Sequence, residues 1–348
     1  HPEIDNRAPF VAEAIPHNDE DFRPVYTLLL KATYDIADNN RLILAEQQLP
    51  LNFAGEYYGD PATSSIKLEP ECTLFKNTAD IVLIGHAYPE APEHLMTRVG
   101  VKVGELRKTA IVFGDRVWEK GANPQISAPQ PFDKIPLCWE NAFGGTDPRV
   151  EDALKISHEA HNPVGKGYAD KKLPFPDLLP LPNIENPDRL IKHWLDRPEP
   201  IGFGFVAPHW LPRGQFAGTY DEQWEKTRKP LVPVDFDRRF FNAGSAGLIA
   251  PDYLKGDEEV VIVNASERGR LSFKLPELPN PLLQMKFHLS TTQTHRTELD
   301  TLIINTDDHQ VSLFWRALAL APKGHLDLAE VNIKIPGVDV LAPTKQAV

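Results

Sequence analysis

Residues 98–113 read RVGVKVGELRKTAIVF. Val99, Val101 and Val103 alternate with Arg98, Gly100 and Lys102, which is the period-two pattern of a strand with one face buried and one wet. Gly104-Glu105 then turns the chain, and Thr109 to Phe113 continues in the same style toward Val117-Trp118. An antiparallel hairpin is the natural reading.

The same pattern repeats outward in both directions. Val25 to Ile36 is apolar and β-branched, breaks at Asp38-Asn39-Asn40 and resumes at Leu42-Ile43-Leu44. Toward the other end, Glu259 to Val263 turns through Glu267-Arg268-Gly269 into Leu271 to Leu275, and Leu302 to Asn305 turns at Asp307-Asp308 into Val311 to Ala317. Between these regions the chain changes character. Seventeen of its 33 prolines fall between Ala122 and Pro233, where they forbid long helices and interior strands alike. Trp139, Phe143, Trp194, Phe203, Trp210, Tyr220 and Trp224 give that segment too much apolar area for a floppy linker. The predicted helices are short: Asp221 to Arg228, where Asp221 caps, and Asp188 to Leu195 after Pro187.

The expected fold is therefore mainly β, antiparallel sheets of sandwich-like hairpins with a Pro/Gly-rich irregular middle and a few short helices. It divides into an N-terminal hairpin region (1–121), an aromatic loop region (122–256) and a C-terminal hairpin region (257–335), with 336–348 as a tail. The two hairpin regions are expected to pack as one unit.

Acidic residues outnumber basic ones by 49 to 37, a net charge of -12, and no run of Lys or Arg forms a stripe along the sequence. Nucleic acid and anionic membranes are disfavoured as partners, unless a basic patch is assembled only in three dimensions. The longest apolar runs, such as Ile81 to Ile84, are far too short to span a bilayer. The chain opens His1-Pro2-Glu3 without a basic start or an apolar segment, and it carries only Cys72 and Cys138. Both features point to a reducing cytoplasm.

Motifs for nucleotide binding and hydrolysis are missing. Asn162-Pro163-Val164-Gly165-Lys166-Gly167 has glycines flanking a lysine, but its spacing is that of a tight turn and not of a phosphate loop. His158 and His161, with Asp152 and Glu159 nearby, offer too few convergent ligands for a metal site, so no cofactor is expected. His86 and His209 read as satisfied buried histidines. The carboxylates Glu140, Asp147, Asp221, Asp235 and Asp237 lie near aromatics and glycines, which keeps open a carbohydrate-active hydrolase with paired acids.

The middle of the chain also carries a dense ordered series. It runs Pro136-Leu137-Cys138-Trp139-Glu140-Asn141-Ala142-Phe143-Gly144-Gly145-Thr146-Asp147, then Asn162 to Gly167, Leu181-Pro182-Asn183-Ile184-Glu185, Pro200-Ile201-Gly202-Phe203-Gly204 and Trp210-Leu211-Pro212-Arg213. Gly218-Thr219-Tyr220-Asp221, Trp224 with Arg228-Lys229-Pro230, and Asp235-Phe236-Asp237-Arg238-Arg239-Phe240-Phe241-Asn242 follow. Lys31-Ala32-Thr33-Tyr34-Asp35, Gly59-Asp60-Pro61, Gly85-His86-Ala87-Tyr88 and Gly114-Asp115-Arg116-Val117-Trp118 extend the series to the N-terminal region. In this order the motifs resemble the bacterial domain-of-unknown-function family 2169 that accompanies type VI secretion genes, with the likeness weakening after about Pro276.

That resemblance implies a non-catalytic adaptor or chaperone that binds an effector toxin and helps place it on the spike protein and its tip protein. A structural component of the secretion apparatus is the duller alternative. Rigid Pro/Gly turns bearing aromatics and Arg suit a preformed docking face. On that basis the expected partner-binding residues are Trp139, Glu140, Phe143, Arg213, Tyr220, Asp221, Trp224, Asp237, Arg239 and Phe241, which join a polar handle or charge to a large contact surface. Each also has a structural reading, since buried aromatics belong to a core more often than to a contact.

Overall fold

Met96–Val103 and Leu106–Phe113 form the hairpin that their alternation predicts, with Lys102 opposite Arg107 and Gly100 opposite Thr109. The computed structural model describes residues 2–6, 8–121, 123–147, 149–150 and 157–337. Glu259–Val263 pairs with the free side of Met96–Val103, Arg270–Lys274 forms the next edge, and the short Ile184–Glu185 closes the opposite edge, giving five strands. Val99, Val101, Val103, Ile262 and Leu271 are buried on one face of this sheet.

A six-stranded sheet runs in the order Val11–Asn18, Pro24–Ile36, Gln310–Leu320, Glu298–Asn305 and Asp80–Ile84, with Leu42–Leu44 on the end of Pro24–Ile36. Pro24–Ile36 lacks alternation because it is central and covered on both sides: Leu28, Leu29 and Leu30 are all buried. Pro16 sits in the edge strand, where a missing N–H breaks no interior ladder. A third sheet orders Glu3–Asn6, Leu328–Lys334, Leu282–Phe287 and Gln293–Arg296.

Strands from 1–121 and 257–335 share all three sheets, and a single large hydrophobic cluster joins them to Trp139, Phe203, Trp210 and Leu248 of the middle segment. A smaller cluster gathers Trp118, Phe143, Leu179, Leu181 and Ile191.

Several expectations change. Among the described residues three ladders are parallel, Glu3–Asn6 on 330–333, Asp80–Ile84 on 301–305 and Phe143–Gly144 on Lys166–Gly167; each joins segments distant in sequence, so no tight turn forces an antiparallel return. Asp188 to Leu195 is not helical. There the Asp196 carboxylate takes the Lys192 and His193 N–H groups and Glu185 takes that of Ile191, so side chains replace the helical ladder. His209 is exposed, and His86 is half-buried with Nδ1 2.9 Å from both Asp307 oxygens, so neither is a core histidine. Of the expected tail only Pro336 and Gly337 are described, and Asp152 also lies outside the described residues. Among the described residues no helix is long and apolar enough to cross a membrane, and no three His, Cys, Asp or Glu converge as metal ligands.

Buried ion pairs brace the sheets, and one of them also holds the middle segment. Lys31 Nζ donates to Glu71 at 2.6 Å, and Arg316 pairs with Asp300. Lys76 Nζ donates to Asp80 at 2.7 Å and to Thr301 Oγ1 at 2.9 Å. The Asp80 carboxylate accepts in turn from Asn242 Nδ2 at 3.0 Å and from the Ala243 N–H at 2.8 Å. Asn242 thus ends the irregular segment on a fixed charge.

Candidate docking surface

A lobe spanning 213–242 is anchored at both ends by buried polar contacts. At its start, Arg213 Nη1 lies 2.5 Å from Glu69 Oε1 and 2.8 Å from the Val206 carbonyl, while Nε donates to the Phe240 carbonyl at 2.9 Å. Burial pushes the Glu69 carboxyl above its usual range, against the opposing pull of Arg213 and Lys76. At its end, Asn242 is held by Asp80. Because Arg213 grips Phe240, the two 3-10 turns Arg213–Ala217 and Arg238–Phe241 are drawn together as the neck of the lobe.

Beyond the neck the sequence specifies its own turns. Gly218 has φ +82°, and an added Cβ would lie 2.8 Å from Pro233 Cβ and 3.0 Å from Asp235 Oδ1, so only glycine fits. Asp235 accepts from Thr219 N at 2.9 Å and from Thr219 Oγ1 at 2.8 Å, which stitches the two sides of the lobe and lowers its pKa. Asp221 has extended dihedrals and accepts the Trp224 N–H at 2.8 Å, capping the helix Glu222–Thr227 as its sequence predicts. No residue of that helix is buried. It is held instead by Trp224, whose Nε1 donates to Leu231 O at 2.8 Å and whose ring meets Tyr220 edge-on at 4.7 Å.

The outer surface is amphipathic. Tyr220 is 56% exposed, and Val234, 87% exposed, lines a groove with Thr219, Asp221, Trp224, Pro233 and Asp235. Arg239 stacks 4.2 Å over Phe216 and forks onto Asp237, whose carboxyl that contact holds below the usual range. Arg238 pairs with Glu20 at 2.7 Å and lies over Phe75, fastening the lobe to the turn between Val11–Asn18 and Pro24–Ile36 and to the loop that carries Phe75. Phe241 packs against Phe75 and Phe236 and is half-buried.

Of the expected contact residues, Tyr220, Asp221, Trp224, Asp237, Arg239 and Phe241 come together here. Trp139, Glu140 and Phe143 lie elsewhere, and Arg213 is buried at the base of the lobe. Trp139 is buried, donates to Phe205 O at 2.8 Å and meets Trp210 edge-on, and its ring covers Gly202, where a Cβ would approach within 2.8 Å. Glu140 accepts from Ser65 N at 2.6 Å and Ser65 Oγ at 2.7 Å. Beside it the Cys138 thiol is pushed up to about 12 by burial and by Glu140, which leaves it inert as a nucleophile. Phe143 lies in the smaller cluster, and Arg213 works as the buried anchor.

The model of a family described as an uncharacterized protein conserved in bacteria, DUF2169, matches residues 21–316. The chain belongs to that family. No curated protein and no solved structure matches it. The DUF2169 match carries past Pro276 to Arg316, and so takes in the whole lobe, both of its anchors and the buried pairs of Lys31, Asp300 and Arg316.

Sequence reasoning missed Glu69, Asp80 and Asn242 as anchors and Val234 as the most exposed apolar residue of the lobe. Nothing local singles out Val234, since Val232, Val234 and Phe236 alternate as the residues of a half-buried strand would. For the anchors only the burial of charges in three dimensions reveals the role.

Proposed function

We propose that this DUF2169 protein is a cytoplasmic, non-catalytic adaptor or chaperone that binds a type VI secretion effector and assists its loading onto the spike and tip proteins. The observation that carries the reading is the lobe at 213–242, a surface whose turns, cap and neck are internally hydrogen-bonded while Tyr220 and Val234 stay exposed. Such a surface loses little entropy on docking. The secretion link rests on the resemblance of the ordered motifs, and family membership is compatible with it.

The carboxylates a hydrolytic reading needs are already engaged. Asp221 caps a helix, Asp235 holds Thr219, Asp237 holds Arg239, Glu140 holds Ser65 and Asp147 forks onto Arg149. This favours binding over turnover. Co-expression with the effector encoded nearby and the spike protein tests the proposal: a complex surviving gel filtration is expected, weakened about tenfold or more by Tyr220→Ala with Val234→Asp. Separate species at micromolar concentration, or a complex indifferent to the double substitution, would count against it.

A further inference from the structure

The five-stranded sheet has a wet face that the lobe does not use. Register places Lys102 beside Arg107 and Val261, Val261 beside Ser272, and Val263 beside Gly100 and Arg270. Residues paired in this way project to the same face. Since Val99, Val101, Val260, Ile262, Leu271 and Phe273 face the core, the opposite side presents Arg98, Lys102, Arg107, Arg270 and Lys274, all exposed, against one exposed carboxylate on these strands, Glu259. On a chain of net charge -12 this is a local inversion of sign.

The charges are unequally satisfied. Lys102 lies 4.0 Å from Glu259, and Lys274 is paired with Glu277. Among the described residues, the guanidinium groups of Arg98, Arg107 and Arg270 have neither an ion pair nor a hydrogen bond. Glu90 and Glu93 lie beyond Arg98, lining a cleft beside Met96, and form no pair with it. Between the arginines is a floor of Thr109, Ile111, Val261 and Val263, flat at Gly100, where a Cβ would make only ordinary contacts of 3.5 Å and 4.0 Å.

We infer that this face docks an acidic, extended polypeptide segment of a partner protein, at a site separate from the lobe. Arginine forks match carboxylates in geometry as well as charge, and the β-branched floor accepts the intervening apolar side chains. Arg107 and Arg270 stand three strands apart and two residues offset along the strands, about 16 Å, so one segment crossing the sheet obliquely reaches both. The same face on a second copy would meet it with like charge. Against single-stranded nucleic acid, the ring that these strands present on this face, Phe113, is covered by the Arg116 guanidinium at 3.7 Å, and the molecule as a whole repels phosphates.

The test uses the full chain and fluorescence anisotropy with three labelled probes: a short peptide alternating Glu and Val, the same peptide with Lys for Glu, and a single-stranded oligothymidylate of matched charge. The Glu peptide is expected to bind, with affinity that falls as salt rises, at least about tenfold more tightly than to the triple variant Arg98→Glu, Arg107→Glu, Arg270→Glu. Its Lys counterpart should not bind. These positions are exposed, so the variant should keep the parent's circular dichroism and melting temperature; the milder Arg→Gln triple, expected to lie between, serves if it does not. Absent or variant-independent binding of the Glu peptide overturns the inference. So does tighter binding of the oligonucleotide lost in the variant, or a dimer of the chain alone that the triple variant disperses in sedimentation.

Discussion

Replacing Arg213 with Met strands a carboxylate inside the protein. Glu69 is 9% exposed and Arg213 6% exposed, and their 2.5 Å contact is the closest compensation that the Glu69 charge receives. Removing one partner of such a pair costs about 3–5 kcal/mol, because the surviving ion stays desolvated. Lys76 still attracts Glu69 in the variant, which favours the lower end, about 3 kcal/mol. Urea unfolding should show a lower midpoint at an unchanged slope. The pH dependence gives a sharper check. Burial raises the folded pKa of Glu69, so any stability it lends is present below its unfolded value and is lost as pH rises through the folded one. Without the guanidinium that opposes this shift the pKa climbs further. The deficit of Arg213→Met should therefore be largest near neutral pH and narrow on acidification, and adding Glu69→Gln should recover most of it. A loss below about 1 kcal/mol, or a double variant no better than the single one, would refute the assignment of Arg213 and Glu69 as the anchor of the lobe.

Other consequences are local. Gly218→Ala should cost more than about 1 kcal/mol through its positive φ and the 2.8 Å approach to Pro233, read by thermal unfolding. Asp235→Ala removes both bonds to Thr219 and should speed amide exchange across 219–224 while leaving the Pro24–Ile36 strand protected. Asp221→Ala should cost about 1 kcal/mol of local helix stability at Glu222–Thr227, seen as fraying in amide chemical shifts. Lys108 donates to Ser245 Oγ and the Ala246 carbonyl with no carboxylate bonded to it, and burial lowers its pKa to about 7 against the opposing pull of Glu199. Its charged form is thus disfavoured in the fold, so stability should rise as pH climbs from about 7 toward 10.5, and Lys108→Met should flatten that slope.

The sheets were legible where burial is one-sided. Residues 98–113 alternate because one face meets the core and the other water, and the hairpin follows. The cap at Asp221 was equally plain, since its chemistry is contained within four residues. By contrast, Asp188 to Leu195 offered helix formers, but the carboxylates of Asp196 and Glu185 hold its N–H groups. His209 sits among apolar neighbours in sequence and is exposed in space, because its neighbour Trp210 turns inward. Half of the expected contact residues were separable only by burial: Trp139 and Trp224 look alike in sequence, yet the first fills the core and the second braces a projecting helix. The basic face was not legible as a stripe, because Arg98, Arg107 and Arg270 lie on three strands that only the register brings together.

Hydrogen exchange of the full chain with and without a candidate effector of the kind proposed above tests the docking role of the lobe most directly. New protection centred on 219–239 is the outcome this account predicts. A stable complex with the lobe exchanging as fast as before, and protection elsewhere, would contradict it.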